Sequence, residues 1–96
     1  MNVDIKAVHF SLEEKSRSYL EHKIGRIHNA ENMLVDLLFT ITKDNAYQAE
    51  ATVNFRWGVT AHVKESDFDL RTALDKLLDT LEAKITKEKE KEKEKR

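Results

Sequence analysis

The strongest constraint on this chain is the alternation that runs through residues 34–63. Val35, Leu37, Phe39 and Ile41 fall on one side of a run over residues 34–42. Tyr47, Ala49, Ala51, Val53 and Phe55 then alternate with Gln48, Glu50, Thr52, Asn54 and Arg56, and Val59, Ala61 and Val63 with Thr60, His62 and Lys64. A period of two in three successive runs predicts three strands with one apolar face each. The segments between them, Lys43-Asp44-Asn45-Ala46 and Trp57-Gly58, have turn chemistry, so the three strands form an antiparallel meander. Such a sheet has an apolar face that something must cover.

The flanking segments supply the cover. Residues 2–8 alternate Val3, Ile5 and Ala7 against Asp4 and Lys6, a fourth strand. Ser11-Leu12-Glu13-Glu14 reads as a capping box opening a helix that runs to about His28. Leu12, Ser16, Leu20, Ile24 and Ile27 make its apolar arc, with Tyr19 at the edge. Ser66, followed by Asp67 and Asp69, predicts the start of a second helix. Its stripe is Leu70, Leu74, Leu77, Leu78, Leu81 and Ile85. The order is β-α-β-β-β-α, an α+β fold with a four-stranded sheet, both helices on one face and the other face wet. Thr52, Asn54, Thr60 and His62 are candidates for that wet face.

At 96 residues the chain is one domain with a modest core. The absence of cysteine excludes disulfides and thiolate metal sites and suits a reducing compartment. No apolar run approaches a membrane span, and residues 1–8 lack the core of a signal peptide, so a cytoplasmic location is expected. The net charge of -1 conceals a split: residues 86–96 carry six Lys/Arg against four Glu, leaving the remainder net acidic. The Lys-Glu tract beyond Ile85 has no apolar face, so residues 1–86 are expected to form the domain and residues 87–96 a fraying charged extension. Any nucleic-acid binding would need the positive charge gathered on one face.

No catalytic pattern is present. His9, His22, His28 and His62 are scattered without metal-ligand spacing, and no phosphate-cradling or nucleophile motif occurs. Neither an enzyme activity, a cofactor, a metal nor a small-molecule substrate is expected. The charge-bearing candidates are Lys15, Arg17, Lys23 and Arg26 on the first helix and Lys84, Lys87, Lys89 and Lys91 at the end of the second. Lys15, His22 and Arg26 share a stripe, whereas Lys23 falls inside the apolar arc, where its stem would lie on the core and its amine reach out. These residues make either a solvated face laced with Glu13, Glu14 and Glu21, or a surface for phosphates. Trp57, beside Arg56 in a turn, either stacks on a base or folds back over the sheet edge.

Read together, these segments resemble the ribosome hibernation-promoting factors, also called ribosome-associated inhibitor or sigma-54 modulation proteins. The resemblance lies in Ala51-Thr52-Val53-Asn54-Phe55, in Ala61-His62-Val63, and in Asp69-Leu70-Arg71-Thr72-Ala73-Leu74-Asp75-Lys76-Leu77-Leu78-Asp79. On the first helix it lies in Tyr19-Leu20, Lys23-Ile24 and Arg26-Ile27. It implies a double-stranded-RNA-binding-domain-like fold with an added strand, placed in the decoding channel of the small ribosomal subunit against 16S rRNA. There it would overlap messenger RNA and tRNA and silence translation in stationary phase or stress, without chemistry. It further implies rRNA contacts by Arg17, Lys23, Arg26, Lys87, Lys89 and Lys91. The chain departs from the family at Thr80 and Ala83, where two basic positions are lost, at Lys84, which replaces a polar residue, and at Arg71, where relatives carry Tyr. Its length matches the short form, which in some bacteria acts with a second factor to pair ribosomes, and a monomer is expected off the ribosome.

Two rival readings remain from other classes: an RNA-binding domain acting on another structured RNA, and a protein-interaction module that uses the Lys-Glu tail.

Overall fold

A computed structural model describes residues 2–27 and 30–94. The elements are β1 (Asn2–Val8), α1 (Glu14–Gly25), a short α2 (Ala30–Met33), β2 (Leu34–Lys43), β3 (Tyr47–Phe55), β4 (Thr60–Asp67) and α3 (Leu70–Glu94). The strands form one sheet in the order β1-β2-β3-β4. β1 pairs with β2 in parallel and the other two pairs are antiparallel. A parallel neighbour requires a crossover, and α1 provides it. The meander then turns through Gly58, whose φ of 88° suits a residue without Cβ.

Both helices lie on one face, as the two stripes require. Leu20 and Ile24 of α1 and Leu74, Leu77, Leu81 and Ile85 of α3 share a single core with Leu37, Phe39, Ile41, Val53 and Val63. Ala49, Ala51 and Ala61 are buried beneath them, and side chains this small leave room for the leucines of α3. The opposite face carries Thr40, Glu50, Thr52, Asn54, Thr60, His62 and Lys64, none of which is buried.

Local sequence signals gave way to the packing of the sheet and core in three places. The Ser11 capping box does not form: α1 begins at Glu14, and Glu13 precedes it with no side-chain cap. Its carbonyl instead accepts from the Ser16 and Arg17 N–H groups at 3.0 Å. The chain leaves β1 through His9 at φ 68°. Phe10 then sets its ring edge-on to Tyr47, with centroids 5.5 Å apart, and Leu12 packs on the core. These two anchors hold the segment out of helix until Glu13. Ser66 does not open α3, because it is paired with Gln48 in the ladder. Asp69 takes the role, accepting from the Thr72 N–H at 3.0 Å and its hydroxyl at 2.9 Å. Val35 was expected to point inward, but a register shift between Leu34 and Asp36 makes it the extra residue of a bulge. Leu34 is fully buried in its stead and Val35 is 44% exposed.

The ends of both helices also differ from expectation. α1 stops at Gly25, where the Arg26 N–H donates to the Lys23 carbonyl at 3.1 Å in a tightened last turn; His28 lies outside the described residues. α3 continues past Ile85 to Glu94, about 37 Å of helix.

Candidate nucleic-acid interface

The basic residues of α1, with Arg26 just past its end, are divided among three clefts. Arg17 faces β1, in a cleft it shares with Val3, Asp4, Ile5 and Glu21. Lys23 and Arg26 face α3, in a groove of about 490 Å³. The far wall of that groove is Asp75, Asp79 and Glu82, with Ile27 and Leu78 at its floor. Lys15 is exposed and 3.8 Å from Glu13. Its cleft is a third one, with Ser16, Tyr19, Asp69 and Arg71. So the structure gathers Lys23 with Arg26, and sets Lys15 and Arg17 apart from them.

Lys23 is half-buried, as its place in the apolar arc implies, and its ammonium reaches 5.7 Å from the centre of the Tyr19 ring. Among the described residues, neither Lys23 nor Arg26 makes an ion pair with a carboxylate.

On α3 the lysines behave differently from one another. Lys84 and Lys91 both hold Glu88, at 3.3 and 3.5 Å. Partial burial works to raise the Glu88 carboxyl. The Lys84 hydrogen bond and the charges of Lys91 and Lys84 outweigh it, and the group ends below the ordinary glutamate range. Lys87 instead lies in a shallow groove with Asp79, Glu82, Ala83, Thr86 and Glu90. Asp79 and Glu82 line this groove and the Lys23–Arg26 groove alike, so Arg26 and Lys87 stand on one continuous side of the molecule. Lys89, two residues on and so on the other side of the helix, is half-exposed. Thr80, a position where the resemblance leads one to look for a cation, donates its hydroxyl to Glu65 at 2.8 Å and ties α3 to β4.

Trp57 folds back. Its ring stacks on Phe55 with centroids 5.0 Å apart at 26° and packs against the core. The open sheet face is polar and internally bonded. Thr60 donates to Asn54 at 2.8 Å, Thr52 and His62 Nδ1 are hydrogen-bonded at 3.0 Å, and His62 and Lys64 each lie 3.7 Å from Glu50. Among the described residues no group of His, Asp and Glu converges as a metal site. No described helix is long and apolar enough to cross a membrane.

One contact had no signal in the sequence. Arg71 places its guanidinium carbon 3.9 Å from the centre of the Tyr19 ring, while the Tyr19 hydroxyl donates to Asp75. The residues involved lie on different helices and follow no shared periodicity, so only the packing of α1 on α3 brings them together.

The arrangement recurs in solved structures. A ribosomal subunit interface protein from Coxiella burnetii superposes with a TM-score of 0.86 at 19% identity, covering 93% of this chain and 98% of that one. The N-terminal domain of Thermus thermophilus Protein Y superposes with a TM-score of 0.79 at 24% identity, covering 91% of this chain and 98% of that one. At these identities the likeness speaks for the fold. No curated protein matches the chain by sequence. The family model described as sigma 54 modulation protein / S30EA ribosomal protein matches residues 3–93. The chain therefore belongs to that family of ribosome-associated proteins.

Proposed function

We propose that this protein is a hibernation factor that binds the small ribosomal subunit in its decoding channel, against 16S rRNA, and silences translation by excluding messenger RNA and tRNA. The observation that carries the reading is the placement of Lys23 and Arg26 without carboxylate partners among the described residues, on the side that also presents Lys87. A domain whose globular part is net acidic attracts RNA only through such a local face. Occupancy of a channel requires no reaction, and the work is done by position. Off the ribosome the protein is a monomer in the cytoplasm.

Competition tests the reading. Added to small subunits that carry messenger RNA and tRNA, the protein displaces both as its concentration rises, and prior occupancy by them raises the concentration needed. Binding that is indifferent to both ligands contradicts the channel. A preference for some other structured RNA over small subunits favours the rival reading.

A further inference from the structure

Arg71 occupies the first turn of α3, where a cation opposes the positive end of the helix dipole. Among the described residues it makes no ion pair with a carboxylate. Asp69, its near neighbour, is engaged with the Thr72 N–H and hydroxyl. Arg71 is nevertheless held in place. Its guanidinium lies over the Tyr19 ring at 3.9 Å, and that ring is itself fixed, half-buried against the core with its hydroxyl on Asp75. A guanidinium stacked on a pinned aromatic has given up much of its rotamer freedom, and Arg71 remains exposed. It borders the cleft of about 350 Å³ that is also lined by Lys15, Ser16 and Asp69.

We propose that Arg71 is an RNA-contacting residue, held by the Tyr19 ring to clamp one backbone phosphate at the cleft it shares with Lys15 and Ser16. The ligand is a phosphodiester oxygen pair, which the planar fork of an arginine binds in bidentate fashion and an ammonium does not. Tyr19 is a positioning residue: it does not meet the phosphate, but fixes the angle at which the fork is presented. Asp75 serves the same end one step back, by orienting the phenol. This assignment rests on the RNA-binding reading above.

The test uses the full-length chain and purified small subunits, with affinity measured over a series of salt concentrations. Arg71→Ala should lower affinity roughly tenfold and reduce the slope of log affinity against log salt by about one, the signature of one lost phosphate contact. Arg71→Lys should keep the slope but still lose affinity severalfold, because charge is retained and the stacked fork is not. Tyr19→Leu should weaken binding with the slope unchanged, and Tyr19→Phe, which keeps the ring, should bind within about twofold of wild type. A purely structural role for the pair would move thermal unfolding and leave the slope of Arg71→Ala at the wild-type value. Arg71→Ala with wild-type affinity and slope, in a series where Arg26→Glu weakens binding, overturns the assignment of Arg71 alone. Failure of the wild-type protein to bind small subunits overturns the RNA-binding reading, and Arg71 with it.

Discussion

The carboxylate of Glu88 lies 3.3 Å from the ammonium of Lys84, one turn earlier on α3. With Lys91 on its other side at 3.5 Å, Glu88 is only 7% exposed, the one buried charged side chain among the described residues. An unpaired carboxylate so placed would be costly. Flanked by two ammonium groups it becomes the link that carries the helix past the end of its apolar stripe at Ile85.

Replacing Glu88 by Ala should therefore loosen the last two turns of α3 without disturbing the sheet. Amide exchange over residues 88–94 should quicken and the helical circular-dichroism signal fall, while protection in β2 and β3 stays as in wild type. Unchanged exchange in the last turns would show that the lysine pairs do not hold them.

Asp67 makes acid stability a second test. The Asp69 N–H, the Lys76 side chain and the Lys76 charge outweigh a small desolvation, and hold the Asp67 carboxyl below the ordinary aspartate range. The Lys76 ammonium is 2.9 Å away. With the folded value lower than the unfolded one, the unfolded chain takes up the proton first. The contribution is thus complete above the unfolded value and disappears as pH falls through the folded one. Asp67→Asn should be less stable than wild type at neutral pH, and the gap should close as urea midpoints are followed into that acid range. A gap constant at every pH would rule out the linkage.

Leu20 anchors α1 to the sheet and is fully buried. Leu20→Ala should cost about 2–5 kcal/mol through lost contacts and the cavity left behind, and Leu20→Met less than about 1.5 kcal/mol. Exposed Arg26→Ala should stay within about 0.5 kcal/mol of wild type. Denaturant unfolding of the three variants ranks them. A cost at Leu20 no larger than at Arg26 would mean that α1 is not docked as described.

The periodicities made the fold legible, because burial of one face leaves the same imprint on every strand and helix. β1, β3 and the long stripe of α3 fall where alternation and helical spacing put them. Val35 could not be read correctly, since a bulge is one inserted residue and leaves no mark in an apolar run such as Leu34-Val35. Ser11 and Ser66 are good caps by composition, yet Phe10, Leu12 and the β3–β4 ladder decide where helix can start. In the interface, the basic residues of α1 were visible as charges. Which carboxylates stand opposite them was not, because Asp75, Asp79 and Glu82 belong to another helix. Lys84 and Lys91 read as candidate phosphate contacts, and in the folded chain each also pairs with Glu88, four and three residues away on the same helix.

If RNA phosphates are the partners, they are bound by Lys23, Arg26 and Lys87, the cations on a side of the molecule that these residues share with Asp75, Asp79 and Glu82. The most direct measurement is the salt dependence of small-subunit binding for wild type and for the double variant Arg26→Glu, Lys87→Glu. Wild-type affinity should fall steeply with salt, and the double variant should bind more weakly with a slope shallower by about two, one unit for each phosphate contact removed. Wild-type affinity and slope in the double variant would contradict the account and move the interface to another face of the molecule.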